Sequence, residues 1–104
     1  MIYNKLVRDK IPQIIESAGR APVYRVLSDD EYLEALNQKL REEVAEYLGD
    51  NSIGEICDIL EVAYAIAAAK GYTAPELAKA RNDKNIQNGA FADRIFLEKV
   101  IENQ

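Results

Sequence analysis

The chain has 104 residues, about one domain, with 48% hydrophobic and 30% charged residues, the balance of an ordinary soluble globular protein. A net charge of −5 and a pI of about 4.7 argue against a nucleic-acid footprint, which needs a basic stripe. Histidine is absent, which removes His-based acid/base chemistry, Ser-His and Cys-His nucleophile systems and the usual zinc ligands.

Residues 1–10 hold Lys5, Arg8 and Lys10 among two apolar pairs. They read either as a solvated arm or as positive charge for an anionic ligand. These first residues lack the apolar stretch of a signal peptide, and the longest apolar run is too short for a membrane span. A single domain over 1–104, a cytoplasmic setting and no membrane partner are the expectations.

A helix is expected from Ile11, with Pro12 in its first turn, Asp9 as N-cap and Gly19 beyond its end. Ala21 to Leu27 reads as a short extended segment. Ser28-Asp-Asp-Glu31 fits a capping box, opening a helix from about 29 to 48 that Gly49 closes. Leu33, Leu36, Leu40, Val44 and Tyr47 form its apolar stripe. Glu43 sits at the shoulder of that stripe, Lys39 and Glu46 share the adjacent strip, and Glu42 lies further out.

After the turn at Asp50, Asn51 and Ser52, a helix from about 53 to 70 is apolar nearly all round, the mark of a central helix. Asp58 and Glu61 interrupt it. Cys57, in the same run, reads as a buried small hydrophobe rather than a reactive thiol. Gly71 ends the helix. Thr73-Ala-Pro-Glu76 is a further capping box, starting a helix from about 74 to 85 that carries Lys79, Arg81 and Lys84. Asn88-Gly89 is a turn signal, and residues 91–101 are ambiguous between helix and strand. Short turns between helices imply antiparallel neighbours.

Chemistry concentrates in Glu42-Glu43-x-x-Glu46 and Glu55-x-x-Asp58. Glu43 and Glu46 are about 4.5 Å apart along one helix axis, as are Glu55 and Asp58 along the next. Helices packed at about 8–10 Å can aim all four carboxylates into one gap. Each helix alone has a bland reading, since glutamates commonly face solvent and Ser52-x-x-Glu55 is also a capping pattern. Asp58 is hardest to explain that way, because a buried unpaired carboxylate is costly. Oxygen ligands without His or Cys select Mg²⁺ or Mn²⁺.

These two acidic motifs, with the opening Tyr3-Asn-Lys-Leu-Val-Arg-Asp-Lys-Ile-Pro12 and Asp30-Glu-Tyr-Leu33 to Lys39-Leu40, resemble the all-α nucleoside triphosphate pyrophosphohydrolases. This is the MazG-like superfamily, and the chain is most similar to its phosphoribosyl-ATP pyrophosphohydrolase-like branch. The resemblance implies an all-α antiparallel bundle with a four-helix core, assembled as a homodimer or homotetramer. It implies Mg²⁺-dependent cleavage of a nucleotide substrate to the monophosphate and pyrophosphate. Carried over by position, Glu43, Glu46, Glu55 and Asp58 would hold the metal, and Glu42 would sit behind them or orient water. Lys84 matches a lysine expected near phosphates, and Lys5, Arg8 and Lys39 are further candidate phosphate contacts. Two departures stand out: Asn88-Gly89-Ala90-Phe91 lacks the arginine of the branch's Arg-Gly-x-Phe, and only eight residues separate Glu46 from Glu55. The rival expectation is a helical nucleotide-binding or oligomerising module that has lost turnover.

Overall fold

The computed structural model describes residues 2–102. The fold is all-α, with four helices: α1 (Ile11–Ser17), α2 (Asp29–Asp50), α3 (Ile53–Ala69) and α4 (Ala74–Asn88). Met1, Asn103 and Gln104, the ends of the expected 1–104 domain, lie outside the described residues.

Helix α1 begins one residue later than an Asp9 cap requires. Its N-cap is Lys10, with no side-chain cap bond, so the expected Asp9 cap is not made. Gly19, at φ 82°, takes the left-handed position beyond the helix as expected. Seven residues are too few for a helix that stands alone in water, and α1 packs against none of the other helices. Residues 20–28 follow without regular structure and pair with no strand. Their anchor is Arg25, whose guanidinium donates to both carboxylate oxygens of Glu31 at 3.2 and 2.8 Å.

At the start of α2 the Ser28 Oγ accepts from the Glu31 amide while the Glu31 carboxylate accepts from the Ser28 amide. Arg25 first, then Ser28, hold the Glu31 carboxyl down at about 2. Gly49 does not close this helix. The helix runs through it to Asp50, and Asn51 supplies the left-handed residue at φ 56°, donating its amide to the Tyr47 carbonyl at 2.7 Å. Asparagine visits this region more readily than other side chains.

Only Asn51 and Ser52 separate α2 from α3, and the Ser52 hydroxyl caps α3 by accepting from the Glu55 amide at 3.3 Å. A link this short forces an antiparallel hairpin, and α2 against α3 is the most extensive helix packing in the chain. Leu36 and Val62, 2% and 8% exposed, are its buried apolar residues. Helix α3 is covered on one side only. Cys57, Leu60 and Tyr64, three to four residues apart on the other side, are exposed. The expected burial of Cys57 is therefore not found in the single chain.

Helix α4 opens on the Thr73–Glu76 capping box and runs to Asn88, three residues past the expected end. An open groove of about 490 Å³ separates it from α3, lined by Ala67, Tyr72 and Leu77 among others. Gly89 turns the chain at φ 81°. Residues 91–101 are neither helix nor strand, and Phe91, Ile95 and Phe96 are all exposed. The radius of gyration is 18.7 Å, against about 13 Å for a compact domain of 100 residues.

Candidate metal centre

The hairpin brings the two acidic motifs together from opposite sides. Glu43 comes from the core-facing shoulder of α2, and at 5% exposure it is as buried as Leu36 and Val62. Glu55 and Asp58 come from the first turns of α3, one turn apart on its α2-facing side. Carboxylate oxygens of Glu43, Glu55 and Asp58 all lie within 4.8 Å of one another. Glu46 is not in this group. It is exposed, one turn further along α2 than Glu43 and nearer the turn, where it contributes negative charge felt by Glu55.

Three cations surround the group. Lys39, itself 15% exposed along its side chain, sits 3.1 Å from Glu43 Oε1 and 3.3 Å from Glu42 Oε1. Lys5 Nζ lies 2.9 Å from the same Glu42 oxygen, and Arg8 Nη2 lies 2.7 Å from Asp58 Oδ1. The hydrogen bond and charge of Lys5, against partial burial and aided by Lys39, hold the Glu42 carboxyl below its usual range. Glu42 is tied to two lysines and is not among the three converging acids.

Two oxygens are left over. Glu43 Oε2 and Glu55 Oε2 are buried without a hydrogen-bond partner. Each such acceptor loses its hydration and gains nothing in return. Burial is the largest cause pushing the Glu55 carboxyl up to about 7, with the Glu43 contact and the charges of Glu46, Asp50 and Glu43 adding to it. Glu55 has the capping geometry with Ser52 as well, but that bond uses its backbone amide and leaves the carboxylate free to point at Glu43. The two readings of Glu55 are thus compatible rather than rival.

This donor set fits a hard divalent cation. The ligands are all carboxylate oxygens, two of them orphaned, and they converge from two rigid helices. Glu43 Oε1 already has Lys39, so the two buried oxygens, Glu43 Oε2 and Glu55 Oε2, are the positions at which a cation would add a partner.

Of the four acids expected to converge, the structure brings Glu43, Glu55 and Asp58 together and leaves Glu46 out, and Lys5, Arg8 and Lys39, expected as phosphate contacts, are ion-paired with acids of the hairpin. Sequence reasoning did not foresee that Arg8 pairs with Asp58 in particular. The only available signal was charge: Lys5 and Arg8 stand three apart on an arm whose natural counter-charge is this acidic end. Lys84 is exposed on α4 and joins none of the ion pairs among the described residues. Among the described residues, no helix is long and apolar enough to cross a membrane.

No family model matches the chain, and no solved structure matches it. A stretch of 42 residues, 40% of the chain, is 64% identical to an uncharacterised protein of Mycolicibacterium smegmatis, spanning 43% of that protein. The chain therefore covers less than half of that relative's length.

Proposed function

We propose that the protein is a Mg²⁺-dependent nucleotide pyrophosphohydrolase, cleaving a nucleoside triphosphate or a phosphoribosyl-ATP-like substrate to the monophosphate and pyrophosphate. The observation that carries the reading is the pair of orphaned oxygens on Glu43 and Glu55 inside a three-acid group rimmed by Lys5, Arg8 and Lys39. A site of acids alone would suit a bare cation. Acids ringed by lysine and arginine suit a cation that arrives with an anionic ligand.

Glu43, Glu55 and Asp58 would hold the ion, and Glu46, one turn along α2, would add negative charge to the site. Mg²⁺ bound there supplies Lewis acidity toward a phosphoryl oxygen and lowers the pKa of a bound water. Lys39 fixes the Glu43 carboxylate through Oε1 and so aims Oε2 at the gap. Glu42, held ionised by Lys5 and Lys39, accepts a hydrogen bond from the attacking water and orients it. Lys5 and Arg8 neutralise the phosphates of the substrate and of the departing pyrophosphate.

Assembly with further copies of the chain belongs to the same proposal. In the single chain α3 is covered on one side, the tail after Gly89 is apolar and uncovered, and the radius of gyration exceeds that of a compact domain. A homodimer or homotetramer would bury these surfaces. A cytoplasmic location goes with the nucleotide substrate.

The test is pyrophosphate release from a panel of nucleoside triphosphates and phosphoribosyl-ATP with Mg²⁺ or Mn²⁺. Turnover by the wild type that Asp58→Ala abolishes supports the reading. No turnover of any substrate would favour the rival, a helical nucleotide-binding or oligomerising module, for which the missing arginine at Asn88 is the motive.

A further inference from the structure

The N-terminal arm reaches the body of the protein through two side-chain bonds. Lys5 meets Glu42 on α2, and Arg8 meets Asp58 on α3, fifty residues away in sequence. The helix that follows the arm, α1, packs against no other helix. Asn4, in the left-handed region at φ 45°, bends the chain just before Lys5. Both contacts are open to water: the side chains of Arg8 and Asp58 are 55% and 35% exposed. Ion pairs this exposed hold a segment weakly.

Asp58 thus has two claims on it. It belongs to the group of carboxylates that converge within 4.8 Å, and one of its oxygens is engaged by Arg8 at 2.7 Å. Glu43 and Glu55 of the same group keep buried oxygens without a partner, whereas Asp58 is partly open to water and has Arg8 on Oδ1. Arg8 answers the charge of Asp58 as Lys39 answers that of Glu43, but Arg8 is exposed while Lys39 is largely covered.

Resting on the proposed function, we infer that Arg8 is the stand-in counter-ion of Asp58, displaced when a divalent cation enters and then available to the phosphates of the substrate. Charge supports the order of events. Without metal, the acids around the site, Glu42, Glu43, Glu46, Glu55, Asp58 and Glu61, outnumber Lys5, Lys39 and Arg8. A divalent ion held by Glu43, Glu55 and Asp58 offsets much of that excess and competes directly for Asp58, so the hold of the guanidinium on Asp58 weakens. A polyphosphate brought by the ion restores the need for it, and guanidinium matches phosphate by paired N–H bonds. Arg8 then acts as a binding residue whose position Asp58 sets in advance.

The test measures two affinities of opposite expected sign by calorimetry on the full chain. Mg²⁺ alone is titrated into wild type, Arg8→Gln and Arg8→Lys, and inorganic pyrophosphate is then titrated into each Mg²⁺-loaded protein. Arg8→Gln should bind Mg²⁺ about three- to tenfold more tightly, because an exposed competing cation has been removed. It should bind pyrophosphate about tenfold more weakly, as expected for losing a charged hydrogen-bond donor. Arg8→Lys should lie between wild type and Arg8→Gln on both. A variant that merely folds badly weakens both affinities and, with unchanged or weaker Mg²⁺ binding, overturns the inference. Unchanged pyrophosphate binding in Arg8→Gln overturns it too. Opposite shifts without nucleotide turnover would leave Arg8 in this role and remove the pyrophosphohydrolase reading. Intact turnover with unshifted affinities would do the reverse.

Discussion

Two regions of this chain, the α2–α3 hairpin and the C-terminal tail, treat their difficult groups in opposite ways. At the α2–α3 hairpin, costly carboxylates are gathered, partly buried and answered by Lys5, Arg8 and Lys39 from the same chain. After Gly89, six large apolar side chains from Phe91 to Ile101 stand in solvent with nothing against them. Charge can be balanced locally, by two helices and an arm. An apolar tail on a chain this small needs another surface. The acids of the hairpin are thus balanced largely from within the chain, while the tail and one side of α3 are left uncovered in it.

The sharpest way to break this contrast is to shorten one apolar side chain in each region. Leu36→Ala, at the most buried position of the hairpin, should cost about 2–5 kcal/mol. Phe96→Ala, on an exposed side chain, should cost under about 0.5 kcal/mol in a dilute monomer. Chemical denaturation followed by circular dichroism measures both. Equal losses at low protein concentration would mean that the tail packs within its own chain. Light scattering beside it should give a multiple of the 11.7 kDa chain mass, reduced when Phe96 is replaced by serine.

Next in size is the response to metal. Mg²⁺ at 100 times its dissociation constant should stabilise the folded chain by about 2.7 kcal/mol. Asp58→Asn and Glu43→Gln should lose most of that gain, and Phe96→Ala should keep it. A smaller effect belongs to the cap of α2: Ser28→Ala should cost about 1 kcal/mol, since it removes the hydroxyl that accepts from the Glu31 amide.

The pH response separates the hairpin from every other part of the chain. Glu55 is raised from 4.5 to about 7 by burial and its acidic neighbours. The folded form therefore holds a proton that the unfolded form has released. Stability from that proton is fully present below pH 4.5 and is lost as pH rises through about 7. Metal-free protein should weaken over this window, and Glu55→Gln should flatten the curve. Saturating Mg²⁺ should flatten it as well, because the cation takes the proton's place. A wild-type curve already flat between those values would contradict the burial of Glu55.

Much of this was legible in the sequence, for reasons that differ by residue. Capping patterns at Ser28 and Thr73 depend on residues three apart, so the starts of α2 and α4 could be read directly. Glu43 could be placed at the edge of the apolar stripe from helical periodicity, and the structure turns that edge into burial. The end of α2 could not be placed, because Gly49 and Asn51 both offer a stop and only the hairpin geometry chooses the latter. The exposure of Cys57 was hidden for another reason: an all-round apolar helix signals burial without saying which chain provides the cover. Tertiary charge pairing was also beyond reach, since nothing within the arm indicates that Arg8, rather than Lys10, meets Asp58.

The central claim is that Glu43, Glu55 and Asp58 bind one divalent cation. Titrating Mn²⁺ into the protein while following the electron paramagnetic resonance of the free ion tests it most directly. The account predicts saturation at one ion per chain, with competition by Mg²⁺ and loss of the site in Glu55→Gln and Asp58→Asn. Signal that falls equally in wild type and in both variants, or does not fall at all, would contradict it.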